Sequence, residues 1–248
     1  MIASLSTPLP KVIGHRGAAG LAPENTLASI RKAAAFGARW VEFDVKLSAD
    51  GVPILMHDDT LRRTTNGRGK VAATAWAALQ QLDAGGWFDD PYKGEPIPSL
   101  EAALALLADL RLSANIELKP CKGRESETAF KALQVVKASW PADLPPPLIS
   151  SFARESLIAA REVAPELPRA LLVGRVPRNP APLLAELGCS ALNPAADHLT
   201  SGRVAALKEA GITLFAYTVN DPSFVASLQH WGVDGVFTDR PDLMSALA

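Results

Sequence analysis

Short β-rich apolar runs alternate with longer alanine- and leucine-rich stretches along the whole chain. The short runs predict strands at residues 11–15, 40–46, 53–57, 114–119, 148–152, 169–173, 190–193, 213–219 and 235–238. The longer stretches predict helices at residues 25–36, 100–110, 125–140, 155–163, 180–187, 202–210, 222–231 and 241–247. Alternation repeated this often indicates parallel strands joined by crossover helices.

The length of the chain narrows this α/β class further. At 248 residues the chain is ambiguous between one large domain and two small ones. About eight strand–helix units in this length close a barrel more naturally than they extend an open sheet. No Gly-x-Gly-x-x-Gly motif follows the first strand, so nothing supports a dinucleotide-binding fold. We therefore expect one barrel domain over residues 1–248.

One segment interrupts the alternation. About forty residues separate His57 from the helix predicted at Leu100, and loops longer than about 15 residues are usually functional or fold separately. Four aromatic residues in this stretch offer apolar surface for a small core: Trp76, Trp87, Phe88 and Tyr92. We expect a small lid-like insertion at about residues 58–98.

Composition and charge exclude several classes of protein. The chain is 48% hydrophobic with a net charge of −1, and no dense Lys/Arg cluster suggests a nucleic-acid partner. No window approaches the roughly 18 apolar residues of a membrane span, and the N-terminus lacks the pattern of a signal peptide. Only Cys121 and Cys189 are present, which suits a reducing compartment. We expect a cytoplasmic protein.

Three carboxylates lie at strand positions that make them candidate metal ligands. Because side chains alternate faces along a strand, Glu42 and Asp44 project together, and Glu117 projects with Lys119. Convergent carboxylates form a hard-oxygen site suited to Mg²⁺ or Ca²⁺. The structural alternative is a carboxylate–lysine ion-pair network.

Two histidines are candidates for proton transfer. His15 and His57 each end a predicted strand, and imidazole exchanges protons near neutral pH. A lone histidine of this kind is more often a satisfied core residue, but two of them among carboxylates favour catalysis. His198 and His230 are not accompanied by candidate carboxylates of this kind, and we assign them no role.

Cationic side chains near these groups suit a phosphate ester. Arg16 follows His15, and its planar fork matches phosphate oxygens, while Lys119 adds a point charge. Ion pairs at the rim are the alternative for both. Glu24 and Asn25 open the first helix, so a functional role and a simple capping or helix-dipole role stay equally open.

An ordered set of motifs resembles the glycerophosphodiester phosphodiesterase family. The motifs are His15-Arg-Gly, Pro23-Glu-Asn-Thr, Glu42-x-Asp44, His57-Asp-x-Thr-Leu, Thr64-Thr-x-Gly-x-Gly, Glu117-Leu-Lys119, Ser150-Ser-Phe152, Ala216-Tyr-Thr-Val-Asn220 and Gly235-Val-Phe-Thr-Asp-Arg-Pro241. Each is weak alone, but the ordered set is specific and covers nearly the whole chain.

The resemblance implies a TIM (β/α)8 barrel with a small insertion after the second βα unit. It implies metal-dependent hydrolysis of deacylated phospholipids, such as glycerophosphocholine or glycerophosphoethanolamine, to sn-glycerol 3-phosphate and an alcohol. Roles are carried over to the matching positions: metal ligation to Glu42, Asp44 and Glu117, phosphate binding to Arg16 and Lys119, acid–base catalysis to His15 and His57, and aromatic lining of the site mouth to Phe152 and Tyr217.

Some details of the implied reaction stay open. Similar sequences often have tryptophan at the position of Tyr217, which puts contacts to the alcohol in question. The nucleophile is either the glycerol 2-hydroxyl of the substrate, which gives a cyclic phosphate, or a water molecule. The resemblance favours the cyclic route. It leaves open the head group, the choice between Mg²⁺ and Ca²⁺, and the oligomeric state.

Two other functions compete with this hypothesis. A related barrel phosphodiesterase would act on lysophospholipid or phosphoinositide head groups, but the chain shows no basic amphipathic helix for a membrane surface. A non-catalytic receptor for phosphodiesters is the rival from another class, and loss of either histidine would have favoured it.

Overall fold

The chain folds into a closed barrel of eight parallel strands, and the computed structural model describes residues 3, 5 and 8–244. The nine strands in chain order are β1 (Val12–Gly14), β2 (Trp40–Leu47), β3 (Pro53–Leu55), β4 (Ser113–Leu118), β5 (Leu148–Ser151), β6 (Arg169–Val173), β7 (Ala191–Pro194), β8 (Thr213–Ala216) and β9 (Gly235–Thr238). All except β3 form the barrel, and β1 pairs with both β9 and β2 to close it. The predicted TIM barrel is confirmed.

Helices connect successive barrel strands and cover the sheet. They are α1 (Leu27–Ala35), α2 (Trp76–Leu79), α3 (Leu100–Leu110), α4 (Glu125–Ser139), α5 (Arg154–Val163), α6 (Pro180–Leu187), α7 (Ser201–Glu209) and α8 (Pro222–Trp231). Side chains of Thr26, Ser99, Thr200 and Asp221 cap first turns by accepting backbone hydrogen bonds. The helix predicted at 241–247 is a 3₁₀ turn over Pro241–Met244, and residues 245–248 lie outside the described residues.

The strand predicted at 53–57 is not a barrel strand. It shortens to β3, which pairs antiparallel with β2. Only residues 48–52 separate the two strands, whereas a parallel crossover needs about a dozen residues or more. The expectation that His57 ends a strand like the other candidates is therefore wrong: His57 follows a hairpin strand that lies outside the barrel.

Segment 58–98 connects β3 to α3, so it lies between the second barrel strand and its helix. It contains α2 and two 3₁₀ turns, Val71–Ala73 and Asp90–Tyr92. A small apolar cluster joins it to β3: Ile54, Met56, Leu61, Val71, Leu79, Ala84 and Ile97. This cluster is aliphatic, and Trp87 is 40% exposed, so aromatic residues contribute less to it than expected. That the segment is an insertion or moves as a lid stays a prediction.

Strand alternation sorts side chains between the barrel interior and the helical layer. Val41, Phe43 and Val45 pack in an outer cluster with α1, α3 and α4. Glu42 and Asp44 take the opposite, inward face of the same strand. Within the described residues, no helix is long and apolar enough to cross a membrane.

Candidate active site

A cavity of about 300 Å³ opens at the carboxyl ends of the barrel strands. Eight of the nine candidate residues line it: His15, Arg16, Glu42, His57, Glu117, Lys119, Phe152 and Tyr217. The ninth, Asp44, lies behind the cavity wall, where its Oδ1 is 3.2 Å from Nζ of Lys119. The fold therefore brings all nine positions together.

The three carboxylates converge because β2 and β4 are neighbours in register. Asp44 pairs with Glu117 across the two parallel strands, and Glu42 lies two residues earlier on β2. One oxygen from each of the three carboxylates lies within 4.8 Å of the other two. All three side chains are buried, and Oε1 of Glu42 has no hydrogen-bond partner among the described residues.

The crowded carboxylates differ in how readily they ionise. Burial and the neighbouring charges of Asp44 and Glu117 raise the pKa of Glu42 well above its usual range. Burial and the charge of Asp44 raise the pKa of Glu117 to about 7. Burial also opposes ionisation of Asp44, but Lys119 and Arg16 outweigh it and lower the pKa of that carboxyl. The cluster thus carries more acidic groups than its two cations neutralise.

The two cations are held against these carboxylates. Lys119 Nζ lies 2.9 Å from Oε1 of Glu117. Burial lowers the pKa of Lys119, but the negative charges of Asp44 and Glu117 outweigh this effect, so the pKa is raised. Nη1 of Arg16 donates to Oε1 of Glu24 at 2.6 Å. Nε of Arg16 lies 3.3 Å from Oδ2 of Asp44 but makes no hydrogen bond among the described residues. Ion pairs therefore exist at the site, and both cations also line the cavity.

His15 is oriented by a carboxylate that the sequence analysis did not single out. Its Nδ1 lies 2.7 Å from Oδ1 of Asp239, and Asn220 donates to the other oxygen of Asp239 at 2.8 Å. Burial opposes ionisation of Asp239, but the hydrogen bond to His15 helps to lower its pKa. Since a carboxylate only accepts, Nδ1 donates and Nε2 remains free for proton exchange, 3.9 Å from Glu42.

His57 has the same kind of support. Its Nδ1 lies 2.7 Å from Oδ1 of Asp58, so Nε2 is again the free ring nitrogen. Burial lowers the pKa of His57. The hydrogen bond from Arg63 is the main cause of a lowered pKa at Asp58, which keeps this carboxyl ionised.

The structure distinguishes the two readings left open for Glu24 and Asn25. Thr26, not Asn25, caps α1. Asn25 has a left-handed backbone with φ of 57°, and its side chain forms two hydrogen bonds with Asp44: Nδ2 donates to Oδ2 at 2.8 Å, and Oδ1 accepts from the backbone N–H at 3.0 Å. Glu24 accepts from Arg16 and Arg63. Both side chains therefore belong to the site.

Phe152 and Tyr217 form one wall of the cavity. Their rings meet edge-on at 5.9 Å between centroids, and Nζ of Lys119 lies 5.6 Å from the centroid of Phe152. Tyr217 donates its hydroxyl to the carbonyl of Val173 at 3.0 Å, and burial raises its pKa to about 12. Phe152 is 48% exposed, so its ring offers apolar surface at the mouth.

Several residues of the site escaped the sequence analysis. Asp239 stands one residue beyond β9, a position comparable with that of His15 beyond β1, and strand-end reasoning could have found it. Asn115 shares the inward face of β4 with Glu117. Asp58 stands in the motif that begins with His57, but neither Asp58 nor Arg63 lies at a strand end, so strand position pointed to no role for either.

Buried carboxylates, two cations and two carboxylate-held histidines meet at the carboxyl ends of the barrel strands, where the active sites of α/β-barrel enzymes lie. The comparisons specify the class further. The model of the glycerophosphoryl diester phosphodiesterase family matches residues 15–243. A glycerophosphodiester phosphodiesterase of Bacillus subtilis (strain 168) is 34% identical over 93% of this chain and 84% of its own length.

Solved structures agree with this family. A phosphodiesterase of Oleispira antarctica, in complex with the product sn-glycerol-3-phosphate, superposes with a TM-score of 0.94 at 41% identity, covering 97% of this chain and 98% of that one. A glycerophosphodiester phosphodiesterase of Agrobacterium tumefaciens gives a TM-score of 0.82 at 34% identity, covering 96% and 100%. The chain belongs to the glycerophosphodiester phosphodiesterase family and is a phosphoric diester hydrolase.

Proposed function

We propose that this protein hydrolyses glycerophosphodiesters, such as glycerophosphocholine and glycerophosphoethanolamine, to sn-glycerol 3-phosphate and an alcohol in a reaction that depends on Mg²⁺ or Ca²⁺. The observation that carries the proposal is the cluster of three acidic side chains, two cations and two histidines at one cavity, which all of them except Asp44 line. The product named for the Oleispira antarctica relative supports the glycerophosphate half of the substrate.

The carboxylates fit a divalent cation. Glu42, Asp44 and Glu117 would hold it, since hard oxygen ligands are those that Mg²⁺ and Ca²⁺ prefer. The buried Oε1 of Glu42 lacks a partner among the described residues, and a cation would supply one. Such a cation would also offset the burial and the repulsion from Asp44 and Glu117 that together raise the pKa of Glu42. When bound, it would stabilise negative charge on the phosphoryl oxygens.

The side chains that line the cavity would bind the phosphodiester and move its protons. Arg16 would bind the phosphoryl oxygens through its planar guanidinium, and Lys119 would bind them through its ammonium charge. Nε2 of His15 would accept a proton from the attacking hydroxyl, which belongs to the glycerol 2-position or to water. Nε2 of His57 would donate a proton to the departing oxygen. Burial lowers the pKa of His57, and the anionic substrate would oppose that effect by favouring the protonated ring.

The aromatic wall gives the alcohol half a place to bind. Phe152 and Tyr217 face the cavity beside Lys119. Cations are attracted to aromatic faces, so a choline head group suits this wall, and the neighbouring Lys119 would weaken that attraction. A comparison of glycerophosphocholine with glycerophosphoethanolamine measures which alcohol the wall prefers.

The testing experiment is release of sn-glycerol 3-phosphate from glycerophosphocholine, measured through a coupled dehydrogenase with Mg²⁺, with Ca²⁺ and with EDTA. We expect metal-dependent release that EDTA abolishes. His57→Ala should lower turnover at least about 100-fold, the usual contribution of acid–base catalysis. The matched control is His198→Ala, because His198 is exposed and does not line the cavity.

Three results would contradict this proposal. Turnover that persists in EDTA would remove the role of the carboxylates as metal ligands. Wild-type turnover by His57→Ala would remove the acid–base assignment. Tight binding of glycerophosphodiesters without turnover, with either metal, would instead favour a receptor.

A further inference from the structure

His57 differs from the other candidate residues in what holds it in place. His15, Glu42, Asp44 and Glu117 lie in barrel strands or directly beyond them, and the hydrogen-bonded sheet fixes their backbone. His57 lies beyond β3, outside the barrel, at the start of the irregular segment 58–98. A proton donor requires a defined position, so contacts other than the barrel sheet must provide it.

Arg63 makes the contacts that meet this requirement. Its Nε and Nη2 donate to the two oxygens of Asp58, each at 2.8 Å, and Asp58 in turn holds Nδ1 of His57. The same guanidinium donates through Nη1 and Nη2 to the two oxygens of Glu24, at 2.7 and 2.8 Å. Arg63 therefore joins two carboxylates, each in a paired geometry with two hydrogen bonds.

Glu24 extends the contacts to Arg16, a second residue that lines the cavity. Its Oε1 also accepts from Nη1 of Arg16 at 2.6 Å. An unbroken chain of charged contacts thus runs from His57 through Asp58, Arg63 and Glu24 to Arg16. Both ends of this chain line the cavity, whereas Arg63 itself does not.

A second anchor keeps the turn of His57 close to the barrel. Lys46 on β2 is buried, and its Nζ donates to Asp59 at 2.6 Å and to the carbonyl of Lys119 at 3.1 Å. The backbone N–H of Met56 donates to the carbonyl of Asp44. These contacts hold the backbone around His57 against the barrel. The orientation of the His57 ring then depends on Asp58 and Arg63.

We propose that Arg63 is a positioning residue that sets the ring of His57 and the guanidinium of Arg16 relative to each other through Asp58 and Glu24. The inference rests on the proposed function, because it assigns Arg63 to the support of two residues of that reaction. Arg63 touches no substrate and moves no proton. Its effect on catalysis comes from geometry alone.

An ordinary exposed ion pair would have no such effect. The side chain of Arg63 is 44% exposed, and single surface pairs contribute little. Arg63 differs from a single pair because it forms two hydrogen bonds with each of two carboxylates. Its planar guanidinium therefore restricts the orientation of both carboxylates at once. Asp58 and Glu24 are also less exposed than Arg63, at 24% and 11% of their side chains.

The contacts from Arg63 through Asp58 to His57 form one arm of this chain, and those through Glu24 to Arg16 form the other. The two arms predict separable kinetic effects. Asp58→Asn breaks the arm to His57 and should mainly lower kcat, while Glu24→Gln breaks the arm to Arg16 and should mainly raise KM. Arg63→Gln breaks both, and we expect about a tenfold change in each constant, because a small misplacement of reacting groups costs up to about 100-fold. Arg63→Lys should recover part of the loss, since a lysine keeps the charge without the fork.

A double-mutant cycle distinguishes positioning from general damage to the fold. The variant with both Asp58→Asn and Arg63→Gln should lose no more in kcat than Asp58→Asn alone, because both substitutions break the same arm. The matched control is Arg62→Gln: Arg62 is the adjacent exposed arginine, and it forms no ion pair within the described part of the chain. It should keep wild-type constants.

Three outcomes would overturn the inference. They are wild-type kcat and KM in Arg63→Gln, multiplicative losses in the double variant, and equal effects of Asp58→Asn and Glu24→Gln on both constants. The third comparison stands even if Arg63→Gln does not fold. His57→Ala is measured in parallel: its activity would contradict the proposed function, whereas an inactive His57→Ala beside a fully active Arg63→Gln would contradict the role of Arg63 alone.

Discussion

The carboxylate of Asp58 lies between the ring of His57 and the guanidinium of Arg63, and the hydrogen bond from Arg63 is the main cause of its lowered pKa. The folded protein therefore binds a proton on Asp58 less readily than the unfolded chain, where the pKa of aspartate is about 3.9. Its ionised form stabilises the fold above that pH. This stabilisation is lost as the pH falls through the lower pKa of the folded state.

Asp58→Asn should accordingly change the pH dependence of stability. We expect the free energy of unfolding to be lower in the variant at pH 7 and the difference from wild type to narrow below about pH 4, as wild-type Asp58 loses its advantage. Urea unfolding in EDTA at several pH values measures this difference in the free energy of unfolding. Asp109→Asn, at an exposed carboxylate of α3, is the control and should show no such narrowing. A difference for Asp58→Asn that is constant with pH would contradict the argument.

At the residue scale, the sequence predicted side chains whose direction is set by a strand. Glu42, Asp44 and Glu117 converge because alternation and register follow from local pattern. Partners such as Asp58 and Arg63 depend on how an irregular segment folds back on the barrel. Asn25 shows the same limit: its sequence context suits a cap, and only the position of Asp44 reveals the hydrogen bonds that it makes.

At the scale of elements, the pattern of apolar residues predicted the barrel strands but not the direction of β3. Nothing in the composition of residues 53–57 distinguishes a barrel strand from a hairpin strand. The decisive signal is the length of the connection, because residues 48–52 form a tight turn in which Gly51 has φ of 82° and donates to the carbonyl of Ser48. Connection length was therefore more informative here than the strand itself.

Two glycine substitutions, one in the turn before β3 and one in α7, should change the free energy of unfolding in opposite directions. Gly51→Ala places a side chain in left-handed backbone and should lower the free energy of unfolding by about 1–2 kcal/mol. Its added Cβ meets nothing closer than 3.8 Å, so the loss reports backbone strain alone. Gly202→Ala lies within α7 in open space and should raise stability by up to about 1 kcal/mol.

Urea unfolding of both variants checks the signs. Gly51→Asn serves as the conservative comparison, because asparagine tolerates left-handed backbone better than alanine. It should therefore lose less stability than Gly51→Ala. A loss in Gly202→Ala, or none in Gly51→Ala, would show that the tertiary contacts of these elements override their local preferences.

At the scale of the whole molecule, closure of the barrel followed from the number of strand–helix units, since eight units in this length close on themselves. The packing of segment 58–98 did not follow from any repeat. It follows β3, which pairs with β2, and its Asp59 accepts a hydrogen bond from Lys46 of β2. The apolar cluster that joins the segment to β3 is separate from the main barrel clusters, so we expect the segment to open without unfolding the barrel.

The two buried cysteines can report separately on the segment and the barrel. Cys121 is covered by the segment: its Sγ lies 3.6 Å from Oδ1 of Asp59. Cys189 packs among the outer side chains of α6, β7 and α7 in the opposite part of the barrel. Burial raises the pKa of both thiols, that of Cys189 to about 12, so neither should react while its surroundings stay closed.

We expect Cys121 to react with a chromogenic disulfide reagent at least about tenfold faster than Cys189 at low urea, because local opening of the segment exposes only the first thiol. The single-thiol variants Cys189→Ser and Cys121→Ser measure each rate without interference. The rate at Cys189 should follow global unfolding measured by circular dichroism. Equal rates with the same dependence on urea would mean that segment and barrel unfold as one cooperative unit.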